Sequence, residues 1–322
     1  MSQRSIGAAP ARLPALFVAS DFCRQPGFGR HHPLSIPRVS AVLEVCESLG
    51  WLDARCTRAS RVATIPELTA YHDAGYVEAL RASDAAGCVA AAVRERHGFG
   101  TFENPLFPGV FERAATAVGG SLLAAELALE GRAVFHPAGG THHGRRDRAS
   151  GFCYFNDPVF AVRRLLERGI ERVLYVDLDA HHGDGVQDAF GPEAVVVTCG
   201  TDALAGDPLS GMALGNVALW DAVERVIGAR GPAVVLGGGG YNPWTLARCW
   251  TGLWGRLSGR AIPVVLPAPA QLILRSLECA LVDDEDVDPS WFATLADAPR
   301  PGEVRAEVKS LASLGRTLHG LA

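Results

Sequence analysis

YVDLDAHHGDG, residues 175–185, follows the lead-in Arg172-Val173-Leu174 and decides how the rest of the chain is read. The lead-in has the character of a buried strand, yet Asp177, Asp179 and His181 follow where a parallel-sheet strand should continue in Val, Ile and Leu. Period-two alternation sets all three on one face. Unpaired, each would cost several kcal/mol to bury, so a compensating partner is required.

The surrounding segments repeat the design. Ala133-Val134-Phe135 leads into HPAGGTHHG, Val173 to Leu178 into DAHHGDG, Ala194 to Thr198 into CGTDALAGDP, and Ala233 to Leu236 into GGGGYNP. Each is a short apolar run closed by glycine and polar residues, and three precede a helical pattern. That alternation predicts an α/β fold, a mainly parallel sheet flanked by helices, with ligands gathering beyond the carboxyl ends of the strands. Upstream, Ala15 to Ala19 reads as a strand. Val39 to Leu49, 74–96 and 110–130 read as helices, the last stopped by Gly131. HGFGTFENPLFPG, residues 97–109, is a Gly- and Pro-rich loop of the kind that connects or binds.

The composition is that of a water-soluble globule: 322 residues, 48% hydrophobic and 20% charged, enough for one large domain or two ordinary ones. A net charge of -5 argues against direct nucleic-acid binding, leaving Arg30, Arg38, Arg145, Arg146 and Arg148 at most a local basic rim. Eight scattered cysteines without a CxxC pair suit a reducing cytoplasm. The N-terminal apolar run is too short for a signal peptide, and no later window is long enough to span a membrane.

Asp179, His181 and Asp202 supply two carboxylates and an imidazole with no fourth protein ligand in view, the open arrangement of a catalytic metal site. Zinc fits best and Fe(II) second, since both accept mixed nitrogen and oxygen donors. The plainer alternative is that these residues cap turns and helices. His142 and His143, in a Gly-flanked loop, are candidates for general base and general acid, or else surface histidines. Asp177 and Asp184 remain to orient them. Tyr241, after four glycines, is placed to donate to an oxyanion, the alternative being a core tyrosine. GGGGYNP completes neither phosphate-loop pattern. Together these groups describe metal-assisted hydrolysis of an amide.

With those residues in view, the chain resembles the zinc-dependent histone deacetylase family in its bacterial acetoin-utilisation branch. GGTHHGRRDRASGFCYFND (139–157), VLYVDLDAHHGDGVQDAF (173–190), CGTDALAGDPL (199–209) and LGGGGYNPWTLARCW (236–250) match the family's motifs in order. Similarity continues upstream to HPLSIPRV, which contains Arg38, and downstream through LECALVDDEDVDP, so residues 1–322 read as one domain of arginase/deacetylase type. The resemblance implies Asp179, His181 and Asp202 as zinc ligands, His142 and His143 as the acid/base pair partnered by Asp177 and Asp184, and Tyr241 as the carbonyl-polarising hydroxyl. Gly151 and Phe152 would line an acyl-lysine channel, with Phe152 as ordinary core the alternative. The substrate class implied is an acetylated protein or a small acetylated amine.

Three departures accompany it. Thr141 stands where a Trp is frequent, and Glu103 where an Asp usually grips the substrate backbone. More seriously, the strand, Phe-bearing loop and helix that should follow the DAF helix are missing, because Phe190 runs directly into GPEAVVVTCG. That segment would supply one channel wall and part of a monovalent-cation site. Ala180 to Glu193, fourteen residues, must then connect two metal-bearing strands, close to the roughly 10–12 that a parallel crossover needs. An acyl-lysine- or metal-binding protein without turnover is therefore the second reading. A third, an arginase-like dimanganese hydrolase suggested by Asp179-Ala180-His181, lacks a ligand because Gly183 occupies the place of the next Asp.

Overall fold

A computed structural model describes residues 13–25, 27–190, 197–228 and 233–299. Its elements in chain order are β1 (Leu13–Ala19), α1 (Arg38–Ser48), β2 (Thr57–Ala59), α2 (Ile65–Thr69), α3 (Ala74–Ala86), α4 (Ala91–His97), α5 (Val110–Ala128), β3 (Arg132–His136), α6 (Asp157–Glu167), β4 (Val176–Asp177), α7 (Asp184–Phe190), β5 (Val197–Thr198), α8 (Asn216–Gly228), β6 (Ala233–Leu236), α9 (Pro243–Leu257) and α10 (Ala268–Arg275). The strands form one sheet in the order β2-β1-β3-β6-β5-β4, with parallel pairing throughout. The predicted α/β architecture is the observed one.

Alternation along the strands explains the layers. Phe17, Phe135, Val197 and Val235 face one way and pack with Val42, Val45, Trp220, Leu253 and Trp254 from α1, α8 and α9. Leu16, Val18, Val134, Val234 and Leu236 face the other way, against Ala124, Ala125 and Ala128 of α5 and Ala161, Val162 and Leu165 of α6. Helix α9 is buried along nearly its whole length, and its tryptophans meet the polar requirement of burial through their ring N–H groups. That of Trp244 donates to Leu274 O at 2.9 Å and that of Trp250 to Cys199 O at 2.9 Å. A third cluster, including Leu68, Tyr76, Leu80, Phe99, Val110 and Phe155, lies beneath α2 to α5.

Two expectations need correction. The helical reading of 74–96 divides into α3 and α4, because Gly87 takes a φ of 66° and ends α3 with a left-handed cap. The strand expected over Val173 to Leu178 is limited to Val176–Asp177. β4 is the outermost strand, pairing only with β5 among the described residues, and Leu174 on its lead-in is 45% exposed. The shortened connection after Phe190, where the segment expected to supply a channel wall and part of a monovalent-cation site is missing from the sequence, falls on residues 191–196, outside the described residues. The crossover from β4 to β5 runs through α7.

Because the strands are parallel, the segments after β3, β4, β5 and β6 all leave the same edge of the sheet. The polar clusters of the sequence are carried on those four segments.

Candidate active site

Asp179, His181 and Asp202 converge. One donor atom from each lies within 4.8 Å of the others, and His181 Nδ1 sits 3.1 Å from Asp179 Oδ1 and 2.8 Å from Asp202 Oδ2. They do not meet by strand alternation, since β4 has ended at Asp177. Backbone turns replace it: Asp179 N donates to Asp177 Oδ1 at 3.0 Å and His181 N to Asp179 Oδ1 at 2.9 Å. The remaining carboxylate oxygens are satisfied by main chain, Asp202 Oδ1 by Ala180 N at 3.1 Å and Asp179 Oδ2 by Gly239 N at 2.5 Å. Gly239 is required for that approach, as a Cβ there would fall 2.1 Å from Asp202 Oδ2.

The electrostatics describe a cavity built for positive charge. The hydrogen bond that Asp179 accepts from it holds the His181 imidazole up at about 9, while burial and the neighbouring Asp179 push the Asp202 carboxyl up. A tetrahedral ion with bonds of about 2.0–2.2 Å needs donor atoms roughly 3.3–3.6 Å apart, so this set fits zinc with only a small expansion.

His142 and His143 sit on the segment after β3, their ring centroids 4.2 Å apart. His142 Nδ1 lies 2.7 Å from Asp177 Oδ2, which leaves Nε2 facing the site, 3.8 Å from Asp179 Oδ1. His143 Nδ1 lies 2.8 Å from Asp184 Oδ1. The two rings are driven apart in basicity. Burial alone would lower His142, but the Asp177 carboxylate outweighs it and the group ends above the usual imidazole value. For His143, burial and the neighbouring His142 prevail over Asp184, and it ends below.

Tyr241 is buried, its ring centroid 6.4 Å from that of His181 and 6.0 Å from that of Phe152. Burial pushes its phenol well up, so it is a donor at any physiological pH. Gly151 and Phe152 adopt consecutive left-handed conformations, φ 51° and 67°. A Cβ on Gly151 would lie 2.3 Å from His143 Cδ2, so this turn brings the chain tight against the His pair and turns Phe152 over the site. The groups line a cavity of about 280 Å³, whose wall includes Arg38, His142, His143, Phe152, Asp179, His181 and Tyr241.

Glu103 stands apart from that wall. Its carboxylate accepts from Asn104 Nδ2 at 3.0 Å, and its carbonyl lies 3.1 Å from His32 Nε2. The basic rim also dissolves in part. Arg38 lies over the Trp250 ring at 5.3 Å and donates to Gly238 O, while Arg145 pairs with Asp184 at 2.5 Å and with Asp188.

Several supporting residues escaped the sequence reading. Tyr175 donates to Asp177 Oδ2 at 2.6 Å, and its position two residues before Asp177 was an available signal. His32 packs edge-on to Phe152 at 4.7 Å. Asn156 and Asp157 contact the His-bearing loop from the start of α6, with no local sequence signal beyond helix capping.

Comparison with known proteins points to one family. The family model described as the histone deacetylase domain matches residues 32–191 and 188–257, two pieces that meet where the sequence is shortened. The chain is 30% identical over 298 residues to histone deacetylase 8 of Danio rerio, covering 71% of this chain and 78% of that protein. It is 37% identical over 179 residues to the acetoin utilization protein AcuC of Bacillus subtilis, covering 55% of this chain and 46% of that one. The crystal structure of an HDAC homologue from Aquifex aeolicus superimposes with a TM-score of 0.88 at 32% identity, covering 94% of this chain and all of that one.

Proposed function

The chain belongs to the histone deacetylase family, and from that membership we propose that it hydrolyses the acetyl amide of acetyl-lysine side chains or of small acetylated amines. The observation that carries the reading is the convergence of Asp179, His181 and Asp202 beside two carboxylate-partnered histidines and a buried tyrosine. Asp179 and Asp202, each through a carboxylate oxygen, and His181 through Nδ1 would hold a zinc ion, with Fe(II) the second candidate. Bound there, the ion would supply Lewis acidity to the substrate carbonyl and acidify a water.

The protein's own groups supply the rest. His143, its basicity lowered by burial and by His142, is the proton acceptor at its Nε2 and returns that proton to the leaving amine. His142, whose basicity the Asp177 carboxylate raises against the effect of burial, favours the negative charge that develops beside it. The Tyr241 hydroxyl donates to the carbonyl oxygen as it becomes an oxyanion. Gly151 and Phe152 flank the acyl-lysine chain. The described cysteines are free thiols, which supports placing this reaction in a reducing cytoplasm. No helix among the described residues is long and apolar enough to cross a membrane.

The test is a panel of fluorogenic acetyl-lysine peptides and acetylated polyamines offered to zinc-loaded protein, then to protein stripped by chelator and reloaded. Turnover that disappears and returns with the metal is expected. Folded protein that holds zinc yet turns over nothing would favour the binding-protein reading instead.

A further inference from the structure

The loop carrying the His pair, residues 140–144, is gripped by the start of helix α6. Asn156 and Asp157 are both fully buried there. Among the described residues, Asp157 has no cationic partner. Its carboxylate accepts instead from Gly140 N at 3.1 Å, Thr141 N at 2.7 Å, the Thr141 hydroxyl, and Ser121 Oγ of α5 at 2.5 Å. At the first position of α6 it also faces the positive end of that helix. The Asn156 side chain donates through Nδ2 to His142 O at 3.1 Å and Gly144 O at 2.8 Å. Its Oδ1, meanwhile, caps α6 by accepting from Val159 N at 3.3 Å.

These bonds divide the fixing of the histidines between two sources. Asp177 and Asp184, from β4 and α7, hold the ring nitrogens. The Asn156–Asp157 pair holds the backbone at 140, 141, 142 and 144, on both sides of the two rings. Helix capping accounts for Asn156 Oδ1 but leaves both Nδ2 bonds unexplained. Helix-terminus electrostatics account for one acid at Asp157 but not for its aim at two successive loop amides.

We infer that Asn156 and Asp157 are positioning residues of the proposed hydrolysis, a clamp that fixes His142 and His143 from behind and governs turnover without touching substrate or metal. The inference rests on the deacetylase reading, and its test separates the two. Asn156→Asp keeps the capping oxygen, a carboxylate being as good an N-cap, but removes both amide donors. Thr141→Val removes one hydroxyl donor to Asp157 and keeps the amide. Each variant is assayed for kcat, KM and zinc content. The downfield proton resonances of imidazole Nδ1–H groups bonded to carboxylates are recorded alongside.

Asn156→Asp should retain zinc and KM, lose about 10- to 100-fold in kcat, and shift those resonances. Folded protein with unchanged kcat and unmoved resonances would reduce the pair to helix caps and overturn the clamp. If Asn156→Asp does not fold, Thr141→Val is judged by the same readouts. If the wild type turns over none of the panel, shifted resonances still support the clamp and only the deacetylase reading fails.

Discussion

Adjacent histidines on one loop acquire opposite charge preferences here through their surroundings alone, which makes the residue scale the place to test roles. Asp179→Ala removes a metal donor, whereas His143→Ala removes only a proton carrier. Both should lose hydrolysis, His143→Ala by about 10² or more. Metal analysis of the folded proteins should find zinc depleted only in the Asp179 variant, and full occupancy there would contradict the ligand assignment. Tyr241→Phe keeps the buried ring and deletes the donor, so kcat should fall about 10²- to 10³-fold with the fold intact. An unchanged rate removes Tyr241 from the reaction. The sequence exposed these groups because each chemical residue stands within a few positions of a strand end or a glycine turn. It did not expose Arg145 as a partner of Asp184, or His32 against Phe152. Those contacts join segments far apart in the chain and follow no local periodicity.

Among elements, β4 shows where pattern reading stops. The apolar run Val173 to Leu178 has strand composition, but composition does not supply a neighbour. Among the described residues, β4 and β5 register at Val176–Val197 and Asp177–Thr198, and Leu178 N still donates to Thr198 O at 2.9 Å. The chain then bends at Asp179 and Ala180, and the side-chain bonds of Asp177 and Asp179 to the amides that follow set the directions that strand alternation was expected to set. Helix α5 was legible as a helix, but not the reason for its paired glycines. A Cβ on Gly119 would lie 1.9 Å from Arg61 O, so backbone rather than a flexible side chain would have to move. Gly119→Ala should therefore destabilise the fold by about 1–3 kcal/mol despite the better helix propensity of alanine, measured as a lower denaturation midpoint. A neutral or stabilising result would mean that the β2–α2 segment yields more readily than its packing implies.

For the molecule as a whole, buried neutral histidines link stability to pH. Burial pushes His72 down to about 4 and His136 to about 3, while in the unfolded chain both titrate near about 6.5. Between those values the unfolded state binds more protons, so stability rises with pH; it is intact above the unfolded value and lost as pH falls toward the folded ones. His72 accepts from Asn156 N at 3.1 Å, with its other nitrogen 3.1 Å from Arg146 O, so its protonation breaks a link between the segment after α2 and the start of α6. Urea midpoints measured from pH 7 to pH 4 should fall, and His72→Gln should flatten part of that slope. A wild-type midpoint independent of pH across this window would refute the linkage. The placement of β4 carries a separate consequence. Two of the three candidate ligands hang just beyond β4, an edge strand of the sheet, whereas the strands that carry Phe17 and Phe135 into the large aromatic core lie inside it. Fraying of that margin would scatter the ion's donors while the interior stays assembled. On gentle heating, hydrolysis should then cease at a temperature where circular dichroism still reports a native protein.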